Sequence, residues 1–219
     1  MITRFLIIVN VIAFLWEIKI AGFGMLTLNG SGVDAVLQAG ALSPSSVLVG
    51  HEWWRIVTSG FLHAGLLHIG VNMMSLWFLG RFIEQIAGPV RMALIYAVSM
   101  VVSGLGVVYL SSPAYATVGT LGASGAIFGL FGALFAIGFK LGRPGMELVK
   151  ANLGILILNL VITFAVPAIS WQAHVSGLIA GFILTYLVYF PPRRVVPVVR
   201  DAATGEDLDT EYQAPAGGR

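Results

Sequence analysis

Apolar residues run almost unbroken through two long stretches of the chain, and the polar positions that interrupt them come in clusters. No charged residue stands between Arg91 and Lys140, and none between Lys150 and Arg193. Each stretch is longer than twice the roughly 20 residues an α-helix needs to cross a bilayer. Near its middle each carries turn-forming residues, SSPAYATVGT (111–120) and VPAISW (166–171). Each therefore divides into two spans joined by a short outer loop. Two more apolar stretches come earlier, so the pattern predicts six spans, at about 4–22, 64–83, 91–110, 122–139, 151–167 and 172–190. The expected fold is an all-α membrane protein, a six-transmembrane-helix bundle forming one domain over 1–190.

The first span follows Arg4 as a secretory signal would, but it ends in the bulky, charged LWEIK (15–19) without a small-residue cleavage site. It is expected to be retained. The segment 23–63 holds glycine-rich turns and the aromatic patch HEWWR (51–55). It is too apolar for a linker, and Trp53 and Trp54 suit a headgroup interface, so a partly embedded outer loop between helices 1 and 2 is expected. Beyond Pro191 the chain turns acidic and loses apolar periodicity, which predicts a disordered cytoplasmic tail over 191–219.

Composition agrees with the pattern. Of the 219 residues 58% are hydrophobic and only 10% charged, against roughly 25% charged in a soluble domain. Lys and Arg set the orientation. With the N-terminus cytoplasmic, Arg4, Arg81, Arg91, Lys140, Arg143, Lys150, Arg193 and Arg194 lie inside, and only Lys19 and Arg55 outside. The net charge of +2 reflects this topology, and nothing points to nucleic acid. The absence of cysteine excludes disulfides and thiol catalysis.

Polar groups inside a bilayer are costly, so each is a functional candidate. The candidates are His63, His68, Asn72, Ser124, Asn152, Asn159 and His174. The second, fourth and sixth spans all run inward from outside. His68 and Asn72 lie in the outer half of the second, Ser124 in the first turn of the fourth, and His174 in the first turn of the sixth. Three helices thus bring Ser, His and Asn to one depth.

Their chemistry is complementary. A serine hydroxyl becomes a nucleophile when a neighbouring base takes its proton, and neutral histidine is the usual base. Asn72 follows His68 by four residues, on the same helical face. With the backbone N–H of Ser124, these two side chains can hold the oxyanion of a tetrahedral intermediate. No carboxylate lies at this level in spans two to six; Glu84 is at the inner end of the second, where with Arg81 it is expected to anchor that end. The expectation is a Ser124–His174 dyad without a third acidic member. Gly125 and Gly129, and Gly177 and Gly181, form two GxxxG pairs that allow close helix approach and bring His174 to Ser124.

The set WR (54–55), HxxxN (68–72), GASG (122–125) and AHVSGLIAG (173–181) resembles the rhomboid intramembrane serine proteases. The resemblance covers about 50–190, with the motifs in the same order. It implies Ser124 as nucleophile, His174 as general base, and His68 and Asn72 as oxyanion-hole donors, with Gly122 in the nucleophile motif. It places Trp54 and Arg55 in a structural outer loop. It also implies transmembrane substrates cut near their extracytoplasmic end, entry past the fifth span, and a capping loop at VPAISW (166–171). Phe128 stands where a tyrosine is often found; its ring can stack under His174 but has no hydroxyl to donate. The lack of an added soluble domain or seventh span resembles the minimal prokaryotic form. The implied partners are the lipid bilayer and transmembrane proteins, with no cofactor and no metal.

Three other readings compete. A metal site would have to use His63, His68 and His174, without HExxH or a carboxylate at that level. A transporter would need an inverted repeat or broken helix pair, and neither is visible. A catalytically silent membrane-client-binding relative would lack the serine or the histidine, and this chain has both.

Overall fold

The computed structural model describes residues 1–27, 31–191, 199–200 and 207–208, in two compact units, Met1–Tyr189 and Phe190–Arg219. In the first unit α1 (Ile2–Ala21) leads into the short α2 (Val33–Gly40), α3 (Pro44–Leu48) and α4 (Arg55–Thr58). The long α5 (Leu66–Ala87) and α6 (Pro89–Leu110) follow, then α7 (Ser124–Lys140), α8 (Arg143–Ala165) and α9 (Trp171–Val188). In the second unit β1 (Val199–Arg200) pairs antiparallel with β2 (Asp207–Leu208). The remaining tail expectation falls, apart from Pro191, outside the described residues.

Helices α5, α6, α8 and α9 are long and apolar enough to cross a membrane. The 17-residue α7 is apolar but shorter, and α1 carries Arg4, Glu17 and Lys19. The largest departure from the expected boundaries is α8, which begins at Arg143 rather than near 151. Pro144 occupies its first turn, where a missing N–H costs nothing, and Met146, Glu147, Leu148 and Lys150 are good helix formers. The charges there interrupt the apolar pattern but not the helix, and Lys150 pairs with Glu147 at 2.8 Å on the exposed surface.

Helix α5 runs on to Ala87 rather than 83, and Glu84 anchors that end through α1, without Arg81. Its buried carboxylate accepts from Ile2 N–H (2.8 Å), Thr3 N–H (3.1 Å) and the Thr3 hydroxyl (2.7 Å). It caps α1, satisfying donors that every helix start leaves unpaired. Arg81 instead stacks over Trp77 at 4.6 Å.

At the centre lies α7, buried from Gly125 to Gly138. A Cβ on Gly177 or Gly181 of α9 would run into the carbonyl oxygen of Gly125 or Gly129 respectively. The other side of the same two α7 glycines receives Ser103 and Ser99 of α6. Small residues on three helices thus make a backbone-to-backbone seam around α7. Outward, α1, α8 and α9 expose large apolar side chains such as Phe5, Ile12, Leu158, Phe164 and Leu187.

Candidate active site

Ser124 is the first residue of α7, and the backbone leading to it is clamped by the outer segment. Leu42 and Thr120 exchange backbone hydrogen bonds at 2.8 and 2.7 Å, and Gly122 N–H donates to Ser59 C=O at 2.9 Å. The outer segment is held in turn by Arg55, which donates to the carbonyls of Ala41 (2.9 Å) and Gln38 (3.0 Å) at the end of α2 and pairs with Glu52. Its guanidinium also lies 4.6 Å over the Trp54 ring. Trp54 and Arg55 thus brace the segment that holds this backbone.

Gly122 takes φ +124°, a backbone region that side chains disfavour. A Cβ there would sit 2.8 and 2.9 Å from Cε1 and Nε2 of His68 and 3.6 Å from Ser124 Oγ. The missing side chain is thus what lets the nitrogen edge of His68 stand beside the serine. His68 Nδ1 accepts from the N–H of Ala64 at 3.1 Å. The proton of a neutral ring is then on Nε2, making the edge beside Gly122 a donor.

His174, in the first turn of α9, completes the cluster. Its Nε2 lies 2.8 Å from Ser124 Oγ. Phe128, one turn into α7, stacks under the imidazole with centroids 4.1 Å apart and planes at 14°. On its other edge, His174 Nδ1 lies 2.8 Å from Thr163 Oγ1 of α8. Asn72 gives one amide hydrogen to His68 C=O at 2.9 Å, which leaves it a second. Ser124, His174, His68, Asn72, Gly122 and Phe128 all line one cavity of about 520 Å³. Ser170, in the loop before α9, borders it and caps α9 through Ala173 N–H.

Two participants were not singled out from sequence. Thr163 had a local signal, a hydroxyl one turn after Asn159 in the C-terminal half of an apolar helix. Glu17 had only its charge. Fully buried in α1, it accepts the backbone N–H of His63 at 3.1 Å, and the His63 ring packs edge-on against His68 at 5.2 Å. His63 thereby supports His68 from behind. Among the described residues no three His, Cys, Asp or Glu converge as metal ligands would.

Comparison with known proteins places the chain in a family. Residues 50–190 match the Rhomboid domain family model. The chain is 32% identical over 167 residues to Rhomboid protease GluP of Bacillus subtilis (strain 168), covering 75% of this chain and 32% of that protein. It is 38% identical over 138 residues to Putative rhomboid protease YdcA of the same organism, covering 62% and 67%. An Arabidopsis thaliana relative named Inactive RHOMBOID-like protein 8 is 32% identical over 167 residues, covering 75% and 46%. The chain thus spans about a third of GluP, under half of the Arabidopsis protein and two thirds of YdcA.

Proposed function

The chain belongs to the rhomboid family, whose members are multi-pass membrane proteins, and from that premise we propose that it is an intramembrane serine endopeptidase. The observation that carries this reading is the 2.8 Å contact between Ser124 Oγ and His174 Nε2 in the wall of a cavity. Ser124 Oγ attacks the scissile carbonyl while His174 Nε2 takes its proton. The oxyanion is held by the backbone N–H of Ser124, by His68 Nε2–H and by an Asn72 amide hydrogen. His174 then gives the proton to the leaving amine, and water, deprotonated by the same ring, hydrolyses the acyl-enzyme.

In the same reading, α1 and α7 complete six crossings with both termini cytoplasmic. At 1.5 Å per residue, α7 is only about 26 Å long, shorter than the roughly 30 Å hydrocarbon core. A helix that short places Ser124 below the outer surface, where the cavity supplies the water that lipid withholds. The substrates are transmembrane proteins cut near their extracytoplasmic end, reaching the site past α8 and beneath the loop 166–170. A non-catalytic, client-binding role is the alternative, since at least one named relative is inactive; the intact serine–histidine contact favours catalysis.

The test is incubation of the full chain in proteoliposomes with a panel of single-span proteins, mapping new termini by mass spectrometry. Cleavage within the outer part of the substrate span is expected. Substrates that bind but stay whole, with a serine that no fluorophosphonate labels, would establish the client-binding role. Asn72→Ala is expected to lower kcat by about 10²-fold, at the lower end for loss of one oxyanion donor because two others remain. An unchanged rate removes Asn72 from the hole.

A further inference from the structure

We propose that Thr163 is a positioning residue for the dyad, its hydroxyl oxygen accepting the Nδ1–H of His174 and so holding the ring in the tautomer that presents a bare Nε2 to Ser124. This inference deepens the serine-protease reading and rests on it.

The hydrogen-bond inventory carries the assignment. A threonine hydroxyl has one hydrogen. Thr163 Oγ1 lies 2.7 Å from the carbonyl oxygen of Asn159, one turn back in α8, and a carbonyl can only accept. That hydrogen is committed, so in the 2.8 Å contact with His174 the imidazole must donate from Nδ1. A neutral ring has a single N–H, which leaves a lone pair on Nε2 facing Ser124 Oγ. When the serine proton moves to Nε2 the ring becomes a cation, and its Nδ1–H still has an acceptor. Hydrogen bonds to charged groups are the stronger ones, so this contact tightens as the transition state forms and acts on rate rather than on binding. Phe128 restrains the plane of the ring but not which nitrogen carries the proton. Thr163 thus takes, more weakly, the orienting place that a carboxylate has in a triad.

The helix that supplies it is thinly attached. The buried residues of α8 are Gly145, Val149, Leu156 and Thr163, a single stripe with Thr163 at its outer end. Neighbouring Val161, Ile162 and Phe164 are exposed. Drawing the outer end of α8 away would strip the imidazole of its acceptor, so the base is set only while α8 is docked.

The test compares Thr163→Val, which keeps the volume and loses the hydroxyl, with Thr163→Ser, which keeps the hydroxyl. The full chain in detergent is read by the fluorophosphonate labelling rate, by kcat and KM on a transmembrane substrate, by thermal melting, and by the ¹⁵N shifts of labelled His174. Thr163→Val should lower labelling rate and kcat about tenfold, the scale of one ordinary hydrogen bond, with KM within about twofold. Thr163→Ser should stay within about twofold of wild type. The wild-type ring should show a protonated Nδ1, and Thr163→Val a tautomer mixture. Wild-type labelling by Thr163→Val, a change in KM alone, or failure of Thr163→Ser to rescue would overturn the proposal. Should Thr163→Val not fold, a wild-type shift reporting Nε2–H overturns it directly. A wild-type protein that neither cleaves nor labels would instead sink the protease reading, while the ¹⁵N measurement still reports on Thr163.

Discussion

Ser124→Ala is expected to abolish both substrate cleavage and fluorophosphonate labelling, a loss of about 10⁴-fold or more in kcat. The variant deletes one oxygen from a half-buried position at the start of α7, so the melting temperature should stay close to wild type. His174→Ala should lose nearly as much, because without the base the hydroxyl 2.8 Å away keeps its proton. The two losses will not add: the double variant should be no worse than the more severe single one, as expected of groups acting as a unit. The checks are single-turnover cleavage assays and labelling time courses on each protein alongside its thermal melt. Labelling that survives in Ser124→Ala would move the nucleophile elsewhere. Full activity in His174→Ala would require another base, and Asn159 and Thr163, the neighbouring polar groups on α8, cannot serve as one.

Gly177→Val is the second large expectation, and its effect is on both fold and chemistry. The first side-chain atom would fall on the carbonyl oxygen of Gly125, so no rotamer relieves it. Helices α7 and α9 must part. Overpacking of this kind destabilises by roughly 3 kcal/mol, the upper end of its usual range, because backbone rather than a side chain has to move. His174 stands one helical turn before Gly177, and Ser124 is next to Gly125, so the parting also opens the dyad. A displacement near 1 Å costs on the order of 10²-fold in rate. Thermal melting and the labelling rate should fall together. Gly154→Ala is the matched control: a Cβ there meets open space on α8, and both readouts should match wild type. A Gly177→Val protein as stable and reactive as wild type would show that the glycine seam does not set the dyad distance.

Helix positions were visible because long apolar windows are a local property, and α6 and α9 lie within two residues of where the pattern put them. The start of α8 is hidden from the apolar pattern because Arg143, Glu147 and Lys150 interrupt it, while Pro144 and good helix formers continue the helix. Ser124, His174, His68 and Asn72 were each conspicuous as costly polar groups in apolar surroundings, and the shared depth of their spans grouped them. The GxxxG spacing of Gly125, Gly129, Gly177 and Gly181 announced close approach. Which glycine meets which carbonyl was not in the spacing. Nor was the partner of Glu84, Thr3, since that depends on where the start of α1 lands beside α5. Glu17 and Thr163 were the least visible, each marked by ordinary chemistry and made meaningful by a partner distant in the chain.

By itself, then, the order of residues determined the helices, their apolar exteriors and the small set of groups able to do chemistry, because hydropathy and helix propensity act over a few turns of one segment. Only the folded bundle decided the finer pairings: which glycine meets which carbonyl, Nε2 of His68 against Gly122, the oxygen of Thr163 against Nδ1. Those choices depend on how helices rotate and slide on one another, and such contacts are settled by packing between segments rather than by any pattern within one.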